Sequence, residues 1–143
     1  MSSWVLLTYT LPSEPSALRV RMWRKLKRTG SILLQDAIWI LPATPRTREQ
    51  YQWLAAEISE LGGQALYWEG RLVMGVTEET LTNQFQEQVE EGYITLLKGI
   101  ESGIGSLESA SRQYQQLSNK DYFHSGSGQR VRQAILDARG GNI

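Results

Sequence analysis

The chain of 143 residues contains no cysteine and a single histidine, His124. The first absence excludes disulfides, thiolate metal sites and cysteine nucleophiles, and it fits a reducing compartment. The second excludes a clustered-histidine metal centre. Long apolar runs are missing as well: stretches such as AIWIL are far too short to span a bilayer, and the opening MSSWVLL lacks the basic flank and cleavage site of a signal peptide. No P-loop or dinucleotide fingerprint occurs, the serines lack a histidine at a suggestive spacing, and Asp36 and Glu69 are isolated carboxylates. These absences lead us to expect a cytoplasmic, non-enzymatic protein without metal, cofactor or membrane. Hydrophobic residues make up 41% of it, enough to build a core without staples.

Net charge is also absent, since fifteen Lys and Arg balance fifteen Asp and Glu, but the balance hides an asymmetry. Residues 1–71 hold 9 basic against 6 acidic side chains, and residues 72–143 hold 6 against 9. A polyanion is therefore expected to meet the first half. All five tryptophans, Trp4, Trp23, Trp39, Trp53 and Trp68, lie in that half too.

WVLLTYTLP, rich in β-branched and aromatic residues and ended by a proline, predicts a strand. A helix follows, with Pro15 in its first turn, Ser13 or Ser16 as cap, Leu18, Met22 and Leu26 on one face, and Gly30 as the left-handed stop. ILLQDAIWILP reads as a long strand interrupted at Gln35 and Asp36, by a bulge or by the turn of a tight hairpin. TPRTREQYQWLAAEISELGG predicts a second helix: Thr44 or Thr47 caps it, Thr47 with Gln50 supplies a capping box, and Tyr51, Leu54, Ala55, Ile58 and Leu61 form its apolar stripe. QALYWEGRLVM supplies another strand.

The order β, α, β, α, β with short links implies an α+β fold, a ferredoxin-like α/β sandwich over residues 1–76 if the middle stretch is a hairpin, with both helices on one sheet face. The strands look apolar on both faces, so either the C-terminal region or a second subunit is expected to cover the other, and we expect a homodimer. Residues 77–143 predict a C-terminal helical hairpin extension packed on this domain. Thr77 caps the first helix, and Leu81, Phe85, Val89, Tyr93, Leu96, Leu97 and Ile100 line it. ESGIGS breaks the pattern, Leu107, Ala110, Tyr114 and Leu117 mark a second helix, NKDYFHSGSG reads as a loop, and Gln129 to Ala138 as a last short helix.

RVRMWRKLKR, Arg19 to Arg28, concentrates six cations in ten residues. Arg21, Arg24, Lys25 and Arg28 fall at i, i+3, i+4 and i+7, one cationic stripe largely opposite Leu18, Met22 and Leu26. Like charges at this spacing repel by roughly 0.2–0.5 kcal/mol per pair, and no nearby acid in the sequence offsets them. Such a stripe can accept phosphates bidentately, in competition with the plainer reading of a solvated helix face. Trp23, at the stripe's edge, can stack on a base but is expected in the core, as are Trp4, Trp39, Trp53 and Trp68, in the core or at a dimer contact. FHSGSGQRVRQ offers a second candidate: a Gly/Ser loop entering a helix, with Arg130 and Arg132 close by, can hold a tetrahedral oxyanion, although the spacing is not that of a P-loop and a linker is the simpler reading. His124 can titrate beside such an anion.

The motifs YTLPSEPS, MWRKLKRTG, LLQDAIWILP, REQYQWLAAEISELGGQAL and KDYFHSGSGQRVRQAILDA resemble, in sequence and order, the N-terminal domain of ChrB-type chromate-resistance regulators. The resemblance implies regulation of chromate-efflux operons and contact with DNA through this domain; members of that family usually continue into a second domain linked to the chromate response, and here a separately encoded partner is expected to carry it. A more distant likeness runs to a domain of PaaX-type repressors and to small CRISPR-associated endoribonucleases, whose first strand ends in a metal-holding aspartate; Thr10 stands at that position here, which argues against nuclease chemistry. The competing expectations are a protein-interaction module, recruiting a partner through the open sheet face and the Phe85 and Leu96 face of the long helix, and an oxyanion sensor at Arg130 and Arg132.

Overall fold

A computed structural model describes residues 3–140. In chain order these form β1 (Trp4–Thr10), α1 (Ala17–Thr29), β2 (Ile32–Leu34), β3 (Ile38–Pro42), α2 (Pro45–Glu60), β4 (Gln64–Gly70), α3 (Glu78–Glu101), α4 (Leu107–Lys120) and α5 (Gly126–Gly140). The class is α+β, with one four-stranded antiparallel sheet in the order β2-β3-β1-β4 and five helices among the described residues. The chain divides into two units, one ending at Glu78 and the other beginning at Glu79.

In the first unit the interruption at Gln35 and Asp36 is a hairpin turn. Both residues have positive φ, 51° and 57°, and the Ala37 amide donates to the Leu34 carbonyl over 3.0 Å. Positive φ at two successive positions gives a primed turn, whose twist matches that of the strands it joins. Cross-strand register then sorts the sheet. Val5, Leu7, Trp39, Leu41 and Tyr67 share one face, while Trp4, Ile40, Leu66 and Trp68 share the other.

Both helices lie on the first face. Tyr51 of α2 meets Tyr67 of β4 edge-on at 6.4 Å, and the buried Met22 and Leu26 of α1, with Tyr51, Leu54 and Ile58 of α2, form the core over buried Val5, Leu7, Trp39 and Leu41. A buried hydroxyl relay fixes the end of α1. Ser31 Oγ lies 2.8 Å from the Tyr51 hydroxyl and 2.6 Å from Thr29 Oγ1, and Gly30, at φ 87°, turns the chain out of the helix. The start of α2 differs from the expectation at one point. Thr44 is the N-cap and pairs reciprocally with Thr47, so the capping box is Thr44–Thr47 rather than Thr47–Gln50. Ser16 caps α1 without a side-chain hydrogen bond.

In the second unit, Val89, Tyr93 and Leu96 of α3, Ala110 of α4, and Val131 and Ile135 of α5 make a buried cluster. The FHSGSG segment is not the linker its composition suggests: α5 begins at Gly126, and Ser127 and Gly128 are buried inside its first turn. Phe85 and Leu96 are buried as well, which removes them as docking residues. Among the described residues no helix is long and apolar enough to cross a membrane.

Candidate nucleic-acid interface

Helix α1 carries the cationic stripe, and α2 modifies it. Glu57 sits on α2 between the buried Leu54 and Ile58, and its carboxylate receives the Lys25 ammonium in a close ion pair. The Arg21 guanidinium approaches the same Glu57 oxygen at 4.0 Å. The expectation of a stripe with no acid beside it is therefore corrected at Lys25 and Arg21. The missed signal was an acid flanking the apolar stripe of a neighbouring helix, whose partner depends on how the two helices are rotated about the sheet.

Arg24 and Arg28 are a different case. Both are exposed, and neither has a hydrogen-bond or ion-pair partner among the described residues. Together with Arg21, Ala17 and Val20 they line an open groove of about 380 Å³ along α1, with no carboxylate in its wall among the described residues. A guanidinium so placed has its donors unspent and can bind phosphate oxygens in pairs.

The tryptophans divide in a way that the sequence did not indicate. Trp4 and Trp39 are buried at 3% and 4% exposure, whereas Trp23, Trp53 and Trp68 are exposed at 48%, 69% and 59%. Trp23 is thus not a core residue. Lys27, one turn on, places its ammonium 5.8 Å from the Trp23 ring centroid. On the other side Trp23 borders a cleft of about 410 Å³ at the end of β1, shared with Tyr9, Thr10, Leu11, Arg19, Leu33, Asp36, Ala37 and Trp39. Burial pushes the Tyr9 hydroxyl above its usual pKa, partly offset by a hydrogen bond from Trp39 and by the nearby Arg19 charge.

The second candidate, in the other unit, is already filled by the chain itself. Ser125 and Ser127 donate their hydroxyls to the two carboxylate oxygens of Glu90 on α3, at short range, and Arg130 donates to Ser127 Oγ over 3.0 Å. The two serine hydrogen bonds, together with the Arg130 charge, hold the Glu90 carboxyl below its ordinary pKa. An internal carboxylate thus occupies the place expected for an oxyanion. Arg132 does not reach it, because residues two apart on a helix point to different faces. The structure brings Arg130 to this cluster and leaves Arg132 exposed elsewhere on α5. His124, at φ 56°, is exposed in the turn ahead of α5.

The family model for the N-terminal region of Protein ChrB matches residues 19–102, from within α1 to the end of α3. Protein ChrB from Cupriavidus metallidurans is 35% identical over 63 residues, which cover 44% of this chain and 19% of that protein. The match thus spans about a fifth of the length of that curated relative. No solved structure matches significantly. With more than half of its length inside the matched region, this chain belongs to the ChrB N-terminal domain family.

Proposed function

We propose that this chain is a nucleic-acid-binding regulator or accessory protein of chromate resistance, and that α1 is its phosphate-contacting helix. One observation carries the reading: Arg24 and Arg28, exposed beside Arg21 and without a partner among the described residues, line a single groove in whose wall no described residue places a carboxylate. Membership of the ChrB family supports the chromate-resistance setting. The stripe works unequally. Arg24 and Arg28 take phosphates directly, Arg21 shares its charge with Glu57, and Lys25 holds α1 against α2. The role is binding rather than catalysis, carried out in the cytoplasm.

Two further parts of the reading have their own support. The strand order β2-β3-β1-β4, with two helices on one face, supports a ferredoxin-like arrangement for the first unit. Exposed Leu66 and Trp68 on the opposite face support a homodimer, which sedimentation equilibrium tests.

The test of phosphate contact is a fluorescence-anisotropy titration of a labelled duplex in rising salt. Neutralising several phosphates makes affinity fall steeply with salt, and each contact removed lowers the slope by about 1. Arg24→Glu with Arg28→Glu is expected to abolish binding, and Lys25→Gln to change it little. Unaltered affinity in the double variant would remove the site.

A further inference from the structure

The cleft at the end of β1 holds polar groups that the fold leaves unspent. The Tyr9 hydroxyl lies beside the Trp39 side chain at the cleft wall, and its proton has no acceptor among the described residues. The Asp36 carboxylate is exposed and lacks a hydrogen-bond or ion-pair partner among them, and so does the Arg19 guanidinium. Around these groups stand flat or apolar walls: Trp23, half exposed at the mouth, with Trp39 and Leu33. Asp36 is carried on the hydrogen-bonded, positive-φ turn between β2 and β3, so its carboxylate is presented at the tip of a hairpin.

From this combination we infer that the cleft takes one unpaired nucleobase bearing an exocyclic amino group, stacked on Trp23 and read by Asp36, from a strand whose backbone runs along the arginine groove. The inference rests on the proposed phosphate contact at α1 and deepens it. Val20 of the groove and Trp23 of the cleft are three residues apart on one helix, so the backbone site and the base site are neighbours. An aromatic face stacks on any base, whereas a carboxylate discriminates. Cytosine, adenine and guanine offer it amino hydrogens. Thymine offers one ring N–H flanked by two carbonyl oxygens, which repel it. Arg19 then supports the adjoining phosphate, and the Tyr9 hydroxyl donates to a base or sugar oxygen.

The test uses the whole chain with labelled oligo(dC), oligo(dT) and a duplex, folding of each variant being verified by circular dichroism. Oligo(dC) is expected to bind about ten-fold more tightly than oligo(dT). Trp23→Ala is expected to weaken both single strands by roughly ten-fold and the duplex by less than about two-fold. Asp36→Asn, which asparagine's tolerance of positive φ keeps foldable, is expected to erase the preference for oligo(dC) while leaving binding to oligo(dT) in place. Equal affinity for the two single strands, or a Trp23→Ala variant indistinguishable from the parent, overturns the base site and leaves the phosphate reading intact. Saturation by free cytidine monophosphate without binding of either oligonucleotide overturns the assignment to a strand. Failure of every nucleic acid to bind overturns the phosphate reading itself.

Discussion

Two residues of the second unit show how much depends on single atoms. A Cβ on Gly128 would stand 2.9 Å from Tyr93 Cζ and 3.0 Å from its hydroxyl oxygen, so only glycine admits the ring at this point of α5. Tyr93 is itself buried, and its hydroxyl donates to Asp121 over 3.1 Å. Burial, followed by that nearby carboxylate, raises its pKa well above the ordinary tyrosine value. Gly128→Ala is therefore expected to destabilise the fold by about 1–3 kcal/mol, seen as a lower Tm in calorimetry. Tyr93→Phe does not relieve it, because the clashing Cζ remains.

Glu90 makes a prediction with a sign. Its folded pKa is depressed by the Ser125 and Ser127 hydroxyls, so its contribution to stability is present above the ordinary carboxylate pKa and is lost as pH falls through the lower, folded value. Glu90→Gln keeps the shape and removes the titration. Thermal melts stepped through acid pH are expected to show a shallower acid decline in Glu90→Gln than in the parent, and parallel declines would refute the role. Gly63 belongs to the same scale in the first unit: a Cβ there would lie 2.2 Å from the Thr10 carbonyl oxygen, so glycine is what lets the end of α2 pass beside the end of β1.

At the scale of elements, the two start signals of α2 act together. Pro45 presets the first turn, and the Thr44–Thr47 pair satisfies two backbone donors that a helix start leaves open. Thr44→Ala is expected to cost about 1 kcal/mol, measured by urea unfolding, because it removes the acceptor for the Thr47 amide without changing the packed face. That α2 would be a helix was legible from its stripe of Tyr51, Leu54 and Ile58. The identity of its capping box was not, since Thr44 and Thr47 are both competent caps and only the direction of the chain leaving β3 decides between them. The hairpin between β2 and β3 was open for a similar reason: Gln35 and Asp36 lack the glycine that usually announces a primed turn, and the strand register imposes it.

For the molecule as a whole, charge and chemistry divide between the units. Arg24 and Arg28, which have no partner among the described residues, belong to the first unit, and in the second the Ser125–Ser127 cluster already encloses a carboxylate. Polyanion binding is expected to follow the first unit. Arg130→Glu with Arg132→Glu is expected to change duplex affinity by less than about two-fold, in the same anisotropy assay in which Arg24→Glu with Arg28→Glu abolishes it. A comparable loss in both double variants would mean that overall charge, and not the α1 groove, attracts the polyanion.

The sequence by itself determined what local spacing can encode: the strands and helices, the apolar stripes, the basic face of α1, and the absence of cysteine chemistry. Those features repeat along one element and need no neighbour to be read. Tertiary structure alone decided which cation meets Glu57, that Trp23 stands half exposed over a polar cleft while Trp39 is buried beneath it, and that a Gly/Ser stretch is the buried start of a helix. Each of these depends on how one element is rotated against another, and that rotation is set by the sum of packing contacts across the core rather than by any stretch of chain.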